Sequence, residues 1–474
     1  MHRFHRGFGA PLLLCALLVA ACCGEAPGGP LAGVSPSGVK VLIVGLDGAT
    51  FDVANPLLKA GRMPALRGLI ERGVRSRLVS EEPLKSPAIW TTIATGRPRE
   101  EHGVEDFISP ARGTPEEPAL TASIDRRTLA LWDLAGHFGL YSDVIGWWVT
   151  WPAEPLLGRM VSDRVAHSRW ASWAEAEQDA LLTYPPELYD ELRDLIVDPL
   201  RPPMDELAAL AEFTPAELEA LRNATKPIPY HGPSVLKFGF CEQRTYERIA
   251  LRLLGQRQPD LALVFMIAID PVSHTFWHYF EPGEFEAGVD PEDVRRLGPL
   301  IPALYEHADA SLARLLELVD DDTVVIVISD HGFGASGELP EESRDGNLQA
   351  VGIERVEPLE RPVNVGMTGI HRLRGIFVAA GGPILPGAQL DSQPTVRDLA
   401  PTVLALLGLP VPEDFTGRVL TELIDPAFLA EHPIMHVPTY EGLVTRTVLD
   451  AGLTTESGHD EVRRSYLRAL GYTE

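Results

Sequence analysis

Apolar residues in this chain gather in short runs, separated by stretches in which they recur at helical spacing. Residues 39–46 (VKVLIVGL) form an apolar, β-rich run that stops at Asp47-Gly48. A strand apolar on both faces belongs inside a parallel sheet. Residues 260–269 (DLALVFMIAI) and 323–329 (TVVIVIS) repeat the pattern, and each run ends at an aspartate, Asp270 and Asp330. Further strands are predicted over 75–80, 141–151 and 374–380. Helical spacing marks 57–73, 243–255, 304–319 and 396–407, and another helix opens at Pro87. Strands alternating with helices predict an α/β fold with a mostly parallel central sheet sandwiched by helices. From about 155 to 240 the pattern gives way to Trp, Pro and acidic residues with short helical stretches such as 215–222. That change predicts an inserted, mainly helical cap.

The predicted layout is thus a core over 39–154 and 241–425, a cap over 155–240 and a C-terminal extension over 426–474. A chain of 474 residues that is 45% hydrophobic can bury a large core. Its formal charge of −26 repels nucleic-acid backbone, so no nucleic acid polymer is expected as partner. The N-terminus reads as a targeting segment. Arg3 and Arg6 precede an apolar stretch, 11–21, too short to cross a bilayer permanently. It closes on Val19-Ala20-Ala21-Cys22, which resembles a bacterial lipobox. The resemblance implies removal of 1–21, lipidation of Cys22 and a flexible tether over 22–38. The protein would then sit on the extracytoplasmic (periplasmic or outer) side of a membrane; an ordinary secretory signal cleaved nearby is the alternative. Of Cys15, Cys22, Cys23 and Cys241, only Cys241 falls in the globular part, so no internal disulfide framework is expected.

In open α/β sheets the ligand site lies at the carboxyl ends of the strands. One aspartate at such an end is an ordinary turn or cap residue. Here Asp47, Asp270 and Asp330 bring histidines with them: His274 four residues after Asp270, His331 directly after Asp330, and His371 just before the strand at 374. Carboxylates and imidazoles without a thiolate suit Zn²⁺ or a similar divalent ion, and six ligands can hold two ions with positions left open. Ser86, in LKSPAIW, stands where a helix begins. Beside a divalent ion a serine hydroxyl can deprotonate and act as nucleophile; the alternative is that Ser86 caps the helix. Trp147, Trp148, Trp151, Trp170 and Trp173 gather near the cap entry, either as packing or as a wall that sorts leaving groups.

Taken in order, GLDGA, SPAIWTTIATGRPREEHG, IDPVSH, ISDHG and GIH resemble the alkaline phosphatase superfamily, in its type I phosphodiesterase/nucleotide pyrophosphatase-like branch, from about Lys40 to Leu420. The resemblance implies an alkaline phosphatase-like fold and two divalent metal ions, most simply Zn²⁺. One would be held by Asp47, Asp330 and His331, the other by Asp270, His274 and His371, with Ser86 between them as ligand and nucleophile. It implies hydrolysis of a small or lipid-like phosphate ester through a phosphoseryl intermediate, phosphodiesters ahead of monoesters. A phosphotransferase of the same superfamily and a non-catalytic lipoprotein retaining the fold are the alternatives. There are departures. Nucleotide pyrophosphatases carry an Asn after the HG pair to hold a phosphoryl oxygen, and the ungapped count puts Phe107 there. The residues after Ser86 lack the sulfatase pattern, and His278 competes with His274 as a ligand.

Overall fold

The computed structural model describes residues 31–113, 118–169, 181–227, 231–337 and 367–446, with Arg464 and Leu467. The expected signal peptide, Cys22, Trp170 and Trp173 lie outside these residues. In chain order the strands begin with β1 (Val41–Leu46) and β2 (Gly73–Val79), then a small ribbon of β3 (Ile108–Gly113) and β4 (Pro118–Leu120). There follow β5 (Ser142–Ile145), β6 (Gly158–Val161), β7 (Thr183–Tyr184), β8 (Leu261–Met266) and β9 (Val324–Ile328). A second ribbon pairs β10 (Gly332–Ala335) with β11 (Gly369–Arg372), ahead of β12 (Arg374–Ala380). Short strands β13 (Val411–Pro412) and β14 (His436–Val437) pair near the C-terminal end.

Eight of these strands form one sheet in the order β2-β12-β9-β1-β8-β5-β6-β7. The five central strands, from β9 to β6, run parallel; β12 and β7 run against them. Strand β1 lies between β8 and β9, with Val41 opposite both Leu261 and Val324. Its alternate side chains feed two cores, as a strand's period of two requires. Leu42, Val44 and Leu46 pack with helices α1 (Phe51–Lys59), α2 (Pro64–Glu71), Gly232–Gln256, Ile269–Phe280 and Leu300–Leu316. Val41 and Ile43 pack on the opposite face with α3 (Ser86–Thr95) and the helix Leu399–Leu406. The mostly parallel sheet sandwiched by helices is therefore the fold expected from the runs.

Local boundaries differ. The run at 57–73 is two helices and the start of a strand, because Gly61 takes a positive φ of 73° and breaks the helix. The run at 260–269 does not end as a strand at Asp270. Strand β8 stops at Met266, and Asp270 is the second residue of a helix. Within 155–240 the described residues contribute β6 and β7 to the main sheet, and Leu182, Leu192, Leu207 and Leu221 join the core on one face of it. The helix Gly232–Gln256 runs unbroken through position 240. β6 and β7 span four and two residues, too few for the apolar period to register.

Candidate active site

Because β9, β1 and β8 are adjacent and parallel, their carboxyl ends share one edge of the sheet. Asp330, Asp47 and the first turn of the helix Ile269–Phe280 leave that edge side by side. In that helix Asp270 and His274 stand four residues apart and so share a face; His274 Nε2 is 3.6 Å from Asp270 Oδ1. His331 joins β9 to the β10–β11 ribbon, which brings His371 opposite Phe333. Ser86 enters from the other face of the sheet as the first residue of α3. Its Oγ lies 3.3 Å from His331 Nε2. The cap position of α3 belongs to Lys85, which makes no side-chain capping bond. Ser86 is therefore not the helix cap.

The candidate ligand atoms fall into two groups, each with all atoms within 4.8 Å of one another: Asp270, His274 and His371, and Asp47, Asp270 and His331. The first group is the trio expected for one ion. The second differs from expectation by including Asp270, with Asp330 alongside at 3.4 Å from His331 Nε2. Asp270 thus faces both groups; its Oδ1 is 3.2 Å from His371 Nε2 and 3.7 Å from His331 Nε2. Read as a strand end, Asp270 gave no sign of this. Its helix brings it inward.

Each histidine has Nδ1 against a backbone carbonyl: His274 on Gly369 at 2.9 Å, His371 on Leu84 at 3.0 Å, His331 on Gly332 at 3.2 Å. A carbonyl only accepts, so each Nδ1 carries a proton; the neutral His274 and His331 rings turn their Nε2 lone pairs inward, while His371 Nε2 faces Asp270 Oδ1. His371 Nε2 and His274 Nε2 then approach to 2.9 Å. Two lone pairs at that distance repel unless a proton or a metal ion lies with them.

The carboxylates carry the same message. Burial, with the charges of Asp330 and Asp270, raises the Asp47 carboxyl well above its ordinary range. Burial and Asp270 push Asp330 up to about 6. Asp270 goes the other way: burial is outweighed by His274 and by the hydrogen bond and charge of His371. Burial takes His274 down to about 4, while for His371 burial is overcome by Asp270, which raises it. Asp47 Oδ1 and Asp330 Oδ2 are buried with no hydrogen-bond partner among the described residues. Clustered carboxylates, orphaned acceptors and inward lone pairs form a donor set that fits divalent cations.

The surroundings sort the remaining candidates. His278 is buried in the same helix but pairs through Nδ1 with Thr368 Oγ1 at 3.0 Å, outside both groups. Trp147 is core packing, its Nε1 donating to Trp90 O at 3.1 Å, and Trp151 stacks under Arg164. Trp148 packs edge-on against Phe107, with ring centroids 5.4 Å apart. It precedes Val149, whose φ of 61° is strained for a β-branched residue. Asp163 holds this turn by accepting from Val149 N at 3.3 Å and Trp151 N at 3.1 Å. No sequence signal marked it.

No curated protein matches the chain. Among solved structures, phosphonoacetate hydrolase from Sinorhizobium meliloti 1021 in complex with phosphonoacetate is 17% identical, with a TM-score of 0.43, covering 76% of this chain and 94% of that one. Murine ectonucleotide pyrophosphatase/phosphodiesterase 5 in complex with AMP is 13% identical, with a TM-score of 0.43, covering 82% and 100%. A 2-O GAG sulfatase is 12% identical, with a TM-score of 0.45, covering 81% and 74%. The family model described as type I phosphodiesterase/nucleotide pyrophosphatase matches residues 41–342, a stretch that holds Asp47, Ser86, Asp270, His274, Asp330 and His331 but ends before His371. Since that match spans well over half of the chain, the protein belongs to the type I phosphodiesterase/nucleotide pyrophosphatase family, a family of phosphoester hydrolases.

Proposed function

We propose that the protein is a metal-dependent phosphoric ester hydrolase, acting on phosphodiesters in preference to monoesters, with Ser86 as its nucleophile. The observation that carries this reading is the gathering of three buried aspartates and three inward-facing imidazoles, with the Ser86 hydroxyl 3.3 Å from His331 Nε2. Asp270, His274 and His371 would hold one divalent ion and Asp47, Asp330 and His331, with Asp270 in reach, the other; Zn²⁺ suits the nitrogen and oxygen donors. Bound there, the ions would supply positive charge to the phosphoryl oxygens and ease loss of the serine proton. Ser86 Oγ gives its proton to water and attacks phosphorus while the bond to the leaving oxygen breaks, and that oxygen takes a proton from water. Water then attacks the phosphoseryl group, releasing phosphate or its monoester and restoring the serine. Transfer of the group to another alcohol would use the same residues.

Outside the described residues, the lipobox-like Cys22 supports an exported enzyme anchored on the extracytoplasmic face of a membrane. Among the described residues no helix is long and apolar enough to cross a membrane. The test is a panel of nitrophenyl phosphate mono- and diesters and a sulfate ester, assayed with added Zn²⁺ or Mn²⁺ and with chelator. Phosphate esters should turn over, diesters fastest, and chelator should abolish the activity. Ser86→Ala should keep its metal and lose turnover by on the order of 10³-fold or more. Full activity in excess chelator, or an unchanged rate in the Ala variant, would sink this reading.

A further inference from the structure

Lys85 stands directly before Ser86, and the backbone of both is fixed by the start of α3. Its ammonium lies 3.3 Å from Asp106 Oδ2 and 5.9 Å from the centroid of the Phe107 ring. The two side chains of this pair are 32% and 36% exposed. A pair so open to water contributes little stability, and the ammonium can leave its partner at small cost. The rest of the centre has anions but few fixed cations. Among the described residues no lysine or arginine pairs with Asp47, Asp330 or His331. Phe107 has no donor to offer, and through Trp148, which borders Asp47, it forms an aromatic wall. Lys85 and Asp47 stand at the two ends of that wall. A phosphoryl group on Ser86 presents some oxygens to the aspartate–histidine cluster and must direct others elsewhere. On the Lys85 side a partly exposed ammonium is at hand.

We propose that Lys85 is a substrate-binding residue, whose ammonium leaves Asp106 to take an anionic oxygen of the ester seated at Ser86. Asp106 is its resting partner. The assignment rests on the hydrolase reading of the site, but its test does not depend on turnover. Inorganic phosphate is titrated calorimetrically into the zinc-loaded full chain. Lys85→Met should weaken phosphate binding by about tenfold or more, the weight of a charge-assisted bond. Lys85→Arg should retain most of the affinity, and Asp106→Asn should bind as tightly as the wild type or tighter, because the competing carboxylate is gone. With an ester substrate, Lys85→Met should raise KM more than it lowers kcat.

Unchanged phosphate affinity in a folded, zinc-loaded Lys85→Met protein would overturn the proposal. So would equal small losses of Tm in Lys85→Met and Asp106→Asn with no change in binding, the pattern of a mere surface ion pair. Wild-type protein that binds no phosphate would overturn it too. Should Lys85→Met not fold, Lys85→Gln is read in the same way. If phosphate binding depends on Lys85 but no ester is hydrolysed, the hydrolase reading fails and the assignment of Lys85 stands.

Discussion

Asp270 carries more of the centre than any other single side chain. Its Oδ1 is within 3.7 Å of the Nε2 atoms of His274, His331 and His371. Asp47 and Asp330 each serve the group around His331, and His371 pairs with His274. Removing an outer partner of a metal ligand costs roughly 10–100-fold in affinity, and removing a shared ligand should cost more. Asp270→Asn is therefore expected to lower bound zinc at both groups, whereas His371→Ala should spare the group around His331. Zinc content after dialysis distinguishes them; equal loss of one equivalent in both variants would show that Asp270 serves one group alone.

At the scale of elements, α3 is the part that sets Ser86, the proposed nucleophile. Its first residue is Ser86, its tenth is Thr95, and Gly96 ends it in the left-handed region at φ 65°. It lies tight on the sheet: a Cβ on Gly45 of β1 would come within 2.7 Å of the Trp90 ring. His102, in the short helix Arg99–His102 (α4), braces it from outside. Val104 N–H donates to His102 Nδ1 at 3.1 Å, so Nε2 carries the proton and donates to Thr92 Oγ1 at 3.1 Å. Burial, then the charges of Arg99 and Arg126, lower the His102 pKa to about 3. The folded state thus holds this ring neutral, while an unfolded histidine takes up a proton near pH 6.5. Above pH 6.5 His102 costs nothing. As pH falls from 6.5 toward 3 the unfolded state binds the extra proton, and stability drops by up to about 1.4 kcal/mol per pH unit from this one group. Urea unfolding from pH 7 to pH 4 should show that acid limb. His102→Gln, which keeps an acceptor for Val104 N–H but cannot titrate, should flatten it; an equally steep limb would assign the acid loss to other groups.

Across the whole molecule, the sheet gathers the three aspartates and three histidines from positions 47 to 371, and the helices on its two faces bring Asp270 and Ser86 to a common edge. What lies before residue 31 bears on where that site works. If Cys22 is acylated, two or more chains make the attachment stable. Cys22→Ser should then move the protein from the membrane pellet to the soluble fraction with its turnover unchanged. Retention in the pellet after a salt wash would show that Cys22 is not the anchor.

The apolar runs at 39–46, 260–269 and 323–329 were enough to determine a buried parallel sheet, because a strand hydrophobic on both faces has nowhere else to go. The aspartates and histidines that follow them were legible for the same reason: strand ends in such a sheet converge. Sequence alone could not decide how the six would divide. That depended on β8 stopping at Met266, so that Asp270 turns inward on a helix and meets both groups. Nor could it show that the 155–240 segment extends the sheet, since strands of four and two residues leave no measurable period and owe their place to their neighbours. The Val149 turn, the Phe107–Trp148 wall and the ammonium of Lys85 beside them are products of packing between distant segments. No local pattern encodes such contacts, and only the folded chain brings them together.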